Sequence, residues 1–417
     1  MPCTLRYARR SEGLCGHCIQ MKNFALVLAS LIVAFALSVG ADRLAGLFQG
    51  ETSQQTGLIF PPNTEYFFRT PEFSYAVRTN SLGFRDREFG ATKRAAIRIV
   101  ALGDSFTFGW GVDAEQAWPK VLESQLRASG DDLEIANLGQ PGASPANYAA
   151  VAEKAVPLLK PDLVIVAVLQ GDDLAQLAPP PRPQAVTRDP EREDAVDIYL
   201  HIQQLTVALY PHLVGIIGRL RGTELSDQWR HDAAALLRSM TPDARARFEK
   251  LDPEIKDAFV RGRLNPALIG LAVRRPDYFL SVMDADAPTS QPLIRQMGDF
   301  LSKIDSVARA YGCDVLVVSV PYGVYVSQSS YETRRRLGFD LVPEMLTTDA
   351  GDAPIRRASE VAHVPFRSVT AGFREASLHH DLFFPLDGHL NIEGHERFAS
   401  LLAPLIKTFI RTKSARK

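Results

Sequence analysis

The chain has 417 residues, of which 46% are hydrophobic and 23% charged, so it is long enough for one large globular domain or two smaller ones. Its 47 basic and 48 acidic side chains leave a net charge of −1. No overall positive field would draw the chain to nucleic acid, which argues against a nucleic-acid role. Three of the four cysteines precede the first apolar run, and the main body holds Cys313 alone, so a disulfide framework is excluded there.

The first segment, residues 1–23, contains Cys15-Gly-His-Cys18, which has the spacing of a zinc or redox site. A structural zinc site needs four ligands, and beyond these two cysteines only His17 and Cys3 are nearby. We therefore favour an extension without fixed structure on the cytoplasmic side of a membrane, and we predict no metal site.

An uncharged run follows at residues 24–41. A helix that spans a bilayer needs about 17 to 25 such residues, whereas a helix in a protein core usually shows a polar face. Four basic residues and one acidic residue precede the run, so the positive-inside bias places the rest of the chain outside. We predict a single-pass anchor in the inner (cytoplasmic) membrane, with the body on the periplasmic or extracellular side. A cleaved signal peptide ending at Ala41 is the alternative, and it exports the body equally well.

The exported part opens with residues 42–95, which are polar and carry turn signals at Pro61-Pro62 and Asn80-Ser81-Leu82-Gly83. These features predict a membrane-proximal segment with short strands. From residue 96, buried strands alternate with helical stretches. The predicted strands lie at Ile97–Leu102, Leu133–Asn137, Leu163–Leu169, Val315–Val320 and Val364–Arg367, and the predicted helices at Trp118–Ser129 and Ala146–Leu159. Near-continuous apolar strands alternating with helices predict an α/β fold whose parallel sheet is covered on both faces.

A long interruption, residues 179–287, separates the third and fourth strands. It opens with Pro179-Pro180-Pro181-Arg182-Pro183, which is typical of a stiff linker. Helical patterns within and after it lie at residues 198–220, 243–251, 253–260 and 292–311. We predict a helical insertion in a main domain of residues 96–178 and 288–412. The insertion is either a cap over the sheet edge or a decoration with no role at the site.

A candidate nucleophile follows the first buried strand, in Gly103-Asp104-Ser105. Ligands of open α/β sheets bind at the carboxyl ends of the strands. Free backbone N–H groups at the start of a helix favour negative charge there. This position suits a serine nucleophile whose substrate carbonyl becomes an oxyanion. The plainer alternative is that Ser105 only caps the helix.

A candidate base lies near the C-terminus, in Asp387-Gly388-His389, on a loop that leads into the last predicted helix. A neutral histidine can take the serine proton, and a carboxylate can hold the histidine in the right tautomer. His389 is therefore the candidate base and Asp387 its orienting acid. His395 is a rival base, with the alternative role of packing on the last helix.

Two further segments follow the second and third strands. The first, residues 137–144, contains Gly142, where a glycine lets the backbone approach a substrate oxygen and present its N–H. A plain turn is the alternative for this glycine. The second is Gln170-Gly171-Asp172-Asp173, for which the alternative is a solvated acidic turn.

Together these four pieces resemble the SGNH hydrolase superfamily, also called the GDSL esterase and lipase group, over roughly residues 80–402 without the insertion. In that family, four blocks supply Ser, Gly, Asn and a His with its Asp. The matching positions here are Ser105, Gly142, Asp172 and His389 with Asp387. The lead-in at residues 80–86 is similar to bacterial, membrane-anchored members. The resemblance implies a three-layer α/β/α sandwich with a flavodoxin-like sheet.

The sequence departs from the family pattern in two blocks. The third block normally reads Gly-Asn-Asp, and here Asp172 replaces the asparagine whose amide donates to the oxyanion. An ionised carboxylate has no donor and repels negative charge, whereas a protonated one donates. The last block is Asp-x-His rather than the commoner Asp-x-x-His, which resembles polysaccharide O-acetyltransferases of the alginate type.

The resemblance implies an acyl-serine mechanism that needs neither a metal nor an organic cofactor. In it Ser105 attacks an ester carbonyl, His389 moves the proton and Asp387 orients the histidine. The backbone N–H groups of Ser105 and Gly142, with Asp172, hold the oxyanion. We predict a hydrolase of acyl esters, acetyl above all, on an exported polysaccharide or lipid. The alternatives are an O-acyltransferase that modifies an exported polysaccharide and a non-enzymatic envelope binding or assembly protein with a degenerate site.

Overall fold

The computed structural model describes residues 26–27, 29–30, 33–43, 58–179 and 223–414. The predicted N-terminal extension and the predicted helix at residues 198–220 lie outside this part. The predicted membrane segment lies only partly inside it, and residues 33–43 are helical. Among the described residues, no helix combines the length and the apolar character needed to cross a membrane.

The strands form two sheets within the described residues. In chain order they are β1 (Glu65–Arg69), β2 (Ser74–Arg78), β3 (Ile97–Gly103), β4 (Leu133–Gly139), β5 (Leu163–Leu169), β6 (Thr223–Glu224), β7 (Asp314–Val320) and β8 (Phe366–Ser368). The larger sheet has the order β4-β3-β5-β7-β8, and each neighbouring pair is parallel. Counted along the chain this is the order 2-1-3-4-5 of flavodoxin-like sheets. The predicted α/β fold with a parallel sheet is confirmed, and each predicted strand lies within two residues of an observed one.

Helices cover both faces of the larger sheet. From residue 105 onward the α-helices of the described residues are, in chain order, α1 (Ser105–Phe108), α2 (Trp118–Ala128), α3 (Pro145–Leu159), α4 (Asp172–Gln176), α5 (Leu225–Ser239), α6 (Pro242–Glu249), α7 (Pro253–Val260), α8 (Pro266–Arg274), α9 (Gln291–Ala310), α10 (Gly323–Val326), α11 (Gln328–Arg336), α12 (Glu344–Thr347), α13 (Ala353–Val361), α14 (Thr370–Ser377) and α15 (Ile392–Ser414). Helix α2 connects β3 to β4, on one side of β3, whereas α3 connects β4 to β5, on the other side of β3. Because such crossovers are right-handed, the two helices lie on opposite faces of the sheet. Helix α15 packs against α2, and α9 packs against α3 and α13.

The strands of the larger sheet form the centre of the hydrophobic core, because helices cover both faces of the sheet. Every residue of β4 and β5 is buried, as expected for near-continuous apolar strands. The short strand β8 forms one edge of the sheet. Its position explains how Pro365, which lacks a backbone N–H, is tolerated just before it. The carbonyl of Pro365 still accepts a hydrogen bond from Val317 at 2.9 Å.

The described part of the insertion begins with the short strand β6 and continues as helices joined by loops. Helices α6 and α7 correspond to the predicted ones, but α5 and α8 were not predicted. Helix α8 begins with signals that the sequence does contain, because Asn265 accepts a hydrogen bond from Ala267 N and Pro266 occupies the first turn. Helix α5 buries only Leu225, Trp229 and Ala233, and so gives a weak apolar pattern.

The segment before the larger sheet supplies β1 and β2 of a second, small sheet of order β2-β1-β6, whose third strand comes from the insertion. Its apolar face supplies Phe73, Tyr75 and Val77 to a cluster with Phe108 of α1. The buried guanidinium of Arg85 donates to the carbonyls of Phe108, Gly109, Ala76 and Val112 at 2.7–3.2 Å. The hairpin of β1 and β2 is therefore fastened to the segment that carries Ser105. The domain boundaries drawn from the sequence stay a prediction.

Candidate active site

The site lies at the carboxyl end of β3, where Ser105 is the first residue of α1. The side chain of Asp104 caps this helix by accepting a hydrogen bond from Phe106 N at 2.9 Å. Helix α1 crosses the end of β4 so closely that a Cβ at Gly139 would overlap the backbone of Phe108. Gly103 ends β3 and Gly139 ends β4, and the two residues are paired in register. Because neither has a side chain, α1 can begin directly after β3.

The structure brings Ser105, His389 and Asp387 into one hydrogen-bonded chain. His389 Nε2 lies 2.7 Å from Ser105 Oγ, and His389 Nδ1 lies 2.5 Å from Asp387 Oδ1. Both distances are within the reach that a nucleophile, its base and an orienting acid require. The two pieces come from residues 284 positions apart in the sequence.

Asp387 has the charge state that this role needs. Its side chain is buried, which opposes ionisation, but the charge of His389 and its hydrogen bonds outweigh this effect and hold the pKa of Asp387 below its usual value. An ionised carboxylate can accept the Nδ1–H bond, and so leaves Nε2 free to take a proton from Ser105.

Aromatic rings fix the orientation of the histidine. The Phe106 ring centroid lies 4.8 Å from that of His389, and the Trp110 centroid lies 6.0 Å away. The side chain of His389 remains 21% exposed, so solvent and substrate can reach it. Packing on two sides restricts the ring to the rotation that faces Ser105.

The loop after β4 lies beside the nucleophile. The backbone N–H of Gln140 donates to the carbonyl of Gly103 at 3.0 Å, and Ala143 N donates to Gln140 O at 3.0 Å. This turn contains Gly142, whose φ of +73° favours glycine and whose Cα borders open space. Within the described part of the chain, the N–H groups of Ser105 and Gly142 have no acceptor. They are therefore available to a substrate oxygen.

Asp172 begins α4 at the end of β5 and is held by two donors. The Tyr278 hydroxyl donates to Asp172 Oδ1 at 2.9 Å, and Gln176 Nε2 donates to Oδ2 at 2.5 Å. Burial raises the pKa of Asp172, while both hydrogen bonds and the charge of His389 oppose this shift. Tyr278 comes from the insertion, so the insertion reaches the position where this chain departs from the family pattern.

Two more buried carboxyl groups lie near Asp172. Burial, together with the charge of Asp172, raises the pKa of Asp104. Asp173 is fully buried and accepts hydrogen bonds from the Tyr148 hydroxyl at 2.9 Å and from Leu169 N at 2.8 Å. These contacts give Asp173 a role in fixing the end of β5, distinct from the site itself.

The rival histidine lies elsewhere. His395 is completely buried, and its Nδ1 accepts a hydrogen bond from Trp118 N at 3.2 Å. Burial lowers its pKa to about 3, so it stays neutral and joins α15 to α2. His389 is the histidine that contacts Ser105. Among the described residues, no group of His, Cys, Asp and Glu side chains could hold a metal ion, and the Cys15–Cys18 pair lies outside them.

Three residues that support the site were not predicted from the sequence: Glu72, Tyr278 and Arg334. Glu72 accepts hydrogen bonds from Leu386 N and Asp387 N, and Arg334 donates to the carbonyls of the same two residues. The only sequence signal for Glu72 is a lone carboxylate in a turn between two short strands. Arg334 is one of three consecutive arginines, and the sequence does not show which of them points inward.

Comparisons with known proteins give partial matches along the sequence. The model of the GDSL-like Lipase/Acylhydrolase family matches residues 101–301, which include Ser105, Gly142 and Asp172 but not Asp387 or His389. An arylesterase of Vibrio mimicus is 28% identical over 89 residues, which make up 21% of this chain and 44% of that protein. The chain thus spans under half the length of this curated relative.

The solved structures that partly match the chain include TesA, at 14% identity and TM-score 0.34, covering 75% of this chain and 98% of that one. The esterase EstA from Pseudoalteromonas sp. has 11% identity and TM-score 0.35, with 75% and 98% covered. The acetyl xylan esterase AlAXEase has 12% identity and TM-score 0.36, with 74% and 100% covered. Residues 101–301 of the chain are thus similar to the GDSL-like Lipase/Acylhydrolase family.

Proposed function

We propose that this chain hydrolyses carboxylic esters through an acyl intermediate on Ser105. The observation that carries the proposal is the continuous hydrogen-bonded chain from Ser105 Oγ through His389 to Asp387. Ser105 Oγ adds to the ester carbonyl carbon while its proton passes to His389 Nε2. The tetrahedral intermediate then collapses, and the alcohol leaves with that proton. Water attacks the acyl-serine in the same manner, releases the acid and restores Ser105.

The oxyanion is stabilised by backbone N–H groups. Those of Ser105 and Gly142 have no acceptor among the described residues, and the start of α1 adds its positive end. One preorganised donor of this kind contributes about 10²–10³-fold in kcat. These two donors therefore account for a large part of the expected rate, whatever Asp172 adds.

Asp172 acts as a third member only in its protonated form. A carboxylic acid donates one hydrogen bond, whereas a carboxylate has none to give. Burial raises the pKa of Asp172 and so favours the protonated form. The hydroxyl of Tyr278 holds the carboxyl in place through Oδ1. This arrangement makes the rate depend on the ionisation of Asp172.

For the substrate, we propose acyl esters with a short acid part, acetyl above all, on an exported polysaccharide or lipid. Export is supported by the uncharged run at residues 24–41 and the basic residues before it. A fusion of the full chain to a reporter enzyme that is active only outside the cytoplasm tests this. Reporter activity in membrane fractions is expected, and an inactive reporter in the cytoplasmic fraction would contradict export.

The nucleophile is tested by comparing the full chain with Ser105→Ala in the hydrolysis of p-nitrophenyl acetate. The matched control is Ser306→Ala, an exposed serine of α9 whose hydroxyl donates to the Ser302 carbonyl. We expect Ser105→Ala to lose activity and Ser306→Ala to keep it. Equal rates for all three proteins would refute the assignment. Transfer of the acetyl group to an added sugar, in place of release to water, would identify the chain as an O-acyltransferase.

A further inference from the structure

We propose that Glu72 and Arg334 form a clamp that positions the loop carrying Asp387 and His389. The clamp grips the peptide groups of Leu386 and Asp387 from two sides, with the carboxylate of Glu72 on the N–H groups and the guanidinium of Arg334 on the carbonyls. This inference rests on the proposed function and adds two positioning residues to it.

The loop is closed at its base by its own backbone. Phe383 and Leu390 form an isolated antiparallel bridge. Phe384 N donates to His389 O at 2.9 Å, and Gly388 N donates to Phe384 O at 2.9 Å. These bonds leave the polar groups of residues 386 and 387 at the tip of the loop. Buried peptide groups need partners, so the tip depends on contacts from outside the loop.

Glu72 supplies the acceptors. Its Oε1 accepts from Leu386 N and its Oε2 from Asp387 N, both at 2.8 Å. Both oxygens are therefore used, and an ionised carboxylate makes such bonds stronger than a neutral acceptor does. Glu72 lies in the turn between β1 and β2. The hairpin of β1 and β2, which precedes the main domain, thus reaches the catalytic loop directly.

Arg334 supplies the donors. Its Nη1 lies 2.9 Å from Leu386 O and its Nη2 lies 2.6 Å from Asp387 O. The side chain is buried at 2% exposure, and its Nε donates to the Tyr322 hydroxyl at 3.2 Å. A planar guanidinium can reach two carbonyls at once, which an ammonium group cannot do in the same geometry.

The loop sequence is adapted to this approach. Gly388 has a φ of +86°, and a Cβ built on it would overlap the Arg334 guanidinium. Only glycine therefore allows the loop to turn at this residue with Arg334 lying against it. The clamp and the Asp387–His389 pair lie on the same few peptide groups, so movement of the tip moves the histidine relative to Ser105.

The test compares Glu72→Gln and Arg334→Lys with two matched controls in the full chain. Glu65→Gln changes an exposed glutamate of the same small sheet, and Arg335→Lys changes an arginine that is 61% exposed and paired with Glu332. The readouts are kcat and KM for p-nitrophenyl acetate per folded molecule, thermal unfolding, and the far-downfield proton resonance of the His389–Asp387 hydrogen bond. A displacement of about 1 Å near a reacting group can cost about 10²-fold in rate.

We expect both clamp variants to lower kcat about 10- to 100-fold with KM nearly unchanged, and to broaden or shift the downfield resonance. The controls should match the unmodified chain. If the clamp variants lose only thermal stability and keep kcat and the resonance, the residues are merely structural and the proposal is overturned. If the unmodified chain does not hydrolyse the ester but Glu72→Gln still alters the resonance, the clamp stands and the proposed function fails.

Discussion

Replacing Asp172 with asparagine tests the oxyanion arrangement because it changes one oxygen into an amide donor at nearly constant shape. Asparagine can keep its carbonyl towards the Tyr278 hydroxyl, which lies 2.9 Å from Asp172 Oδ1. Its NH₂ group then takes the place of Oδ2, the atom that accepts a hydrogen bond from Gln176 in the unmodified chain. Gln176 is exposed and can turn away at little cost.

The size and sign of the effect on kcat follow from the number of hydrogen-bond donors that face the oxyanion and from the raised pKa of Asp172. Below that pKa the carboxyl is protonated and can donate, whereas above it the carboxylate repels the oxyanion. The activity of the unmodified chain should therefore fall as the pH rises through the raised pKa, and that of Asp172→Asn should not. At high pH the variant should exceed the unmodified chain by up to about 10²–10³-fold in kcat, the contribution of one oxyanion donor.

The assay is the pH dependence of kcat for p-nitrophenyl acetate, measured for the full chain, Asp172→Asn and Gln176→Ala. The last variant removes the Gln176 hydrogen bond, which also lowers the pKa of Asp172, so its fall in activity should move to higher pH while a fall remains. The role given to Asp172 would be refuted if Asp172→Asn folds normally and its kcat stays equal to or below that of the unmodified chain at every pH.

Three further predictions concern the same site. Asp387→Asn should lower kcat by about 10⁴-fold, because an amide no longer holds the reactive tautomer of His389. Asp381→Asn, at an exposed position, is the control. Similar rates for both variants would contradict the pairing of Asp387 with His389. Tyr278→Phe removes a hydrogen bond that lowers the pKa of Asp172, so the fall in activity at high pH should move to higher pH, and an unmoved profile would disprove this coupling. Gly388→Ala should lower the melting temperature, since the new Cβ would overlap Arg334 at a positive φ, and unchanged melting would show that the loop tolerates a side chain.

The sheet and the meeting of the candidate site residues at one edge could be predicted because their signals are local. Each strand of the larger sheet is an apolar run with clear ends, and residues at the carboxyl ends of parallel strands meet at one edge. Ser105, Gly142 and Asp172 each follow such a strand. The contact between His389 and Asp387 could be predicted because the two residues are two positions apart, a spacing that lets a carboxylate and an imidazole pair within one loop.

The supporting residues could not be predicted because their partners are remote in the sequence. Tyr278 is 106 positions from Asp172, and Glu72 is 314 positions from Leu386. Contacts of this kind depend on how the insertion and the small sheet pack, and no periodic pattern encodes them. Arg334 is an example of a residue whose burial the sequence does not predict. Its neighbours Arg335 and Arg336 pair with Glu332 and with Asp252, and only the path of α11 decides which of the three arginines is buried.

The most direct test of the central claim is to trap the acyl group on the serine. The full chain would be mixed with p-nitrophenyl acetate, quenched with acid within the first turnover, digested and analysed by mass spectrometry. An added acetyl group on the peptide that contains Ser105, absent from Ser105→Ala and accumulating in step with the initial burst of p-nitrophenol, is the predicted result. Hydrolysis that proceeds at full rate in Ser105→Ala, with the acetyl group on another residue, would contradict the account.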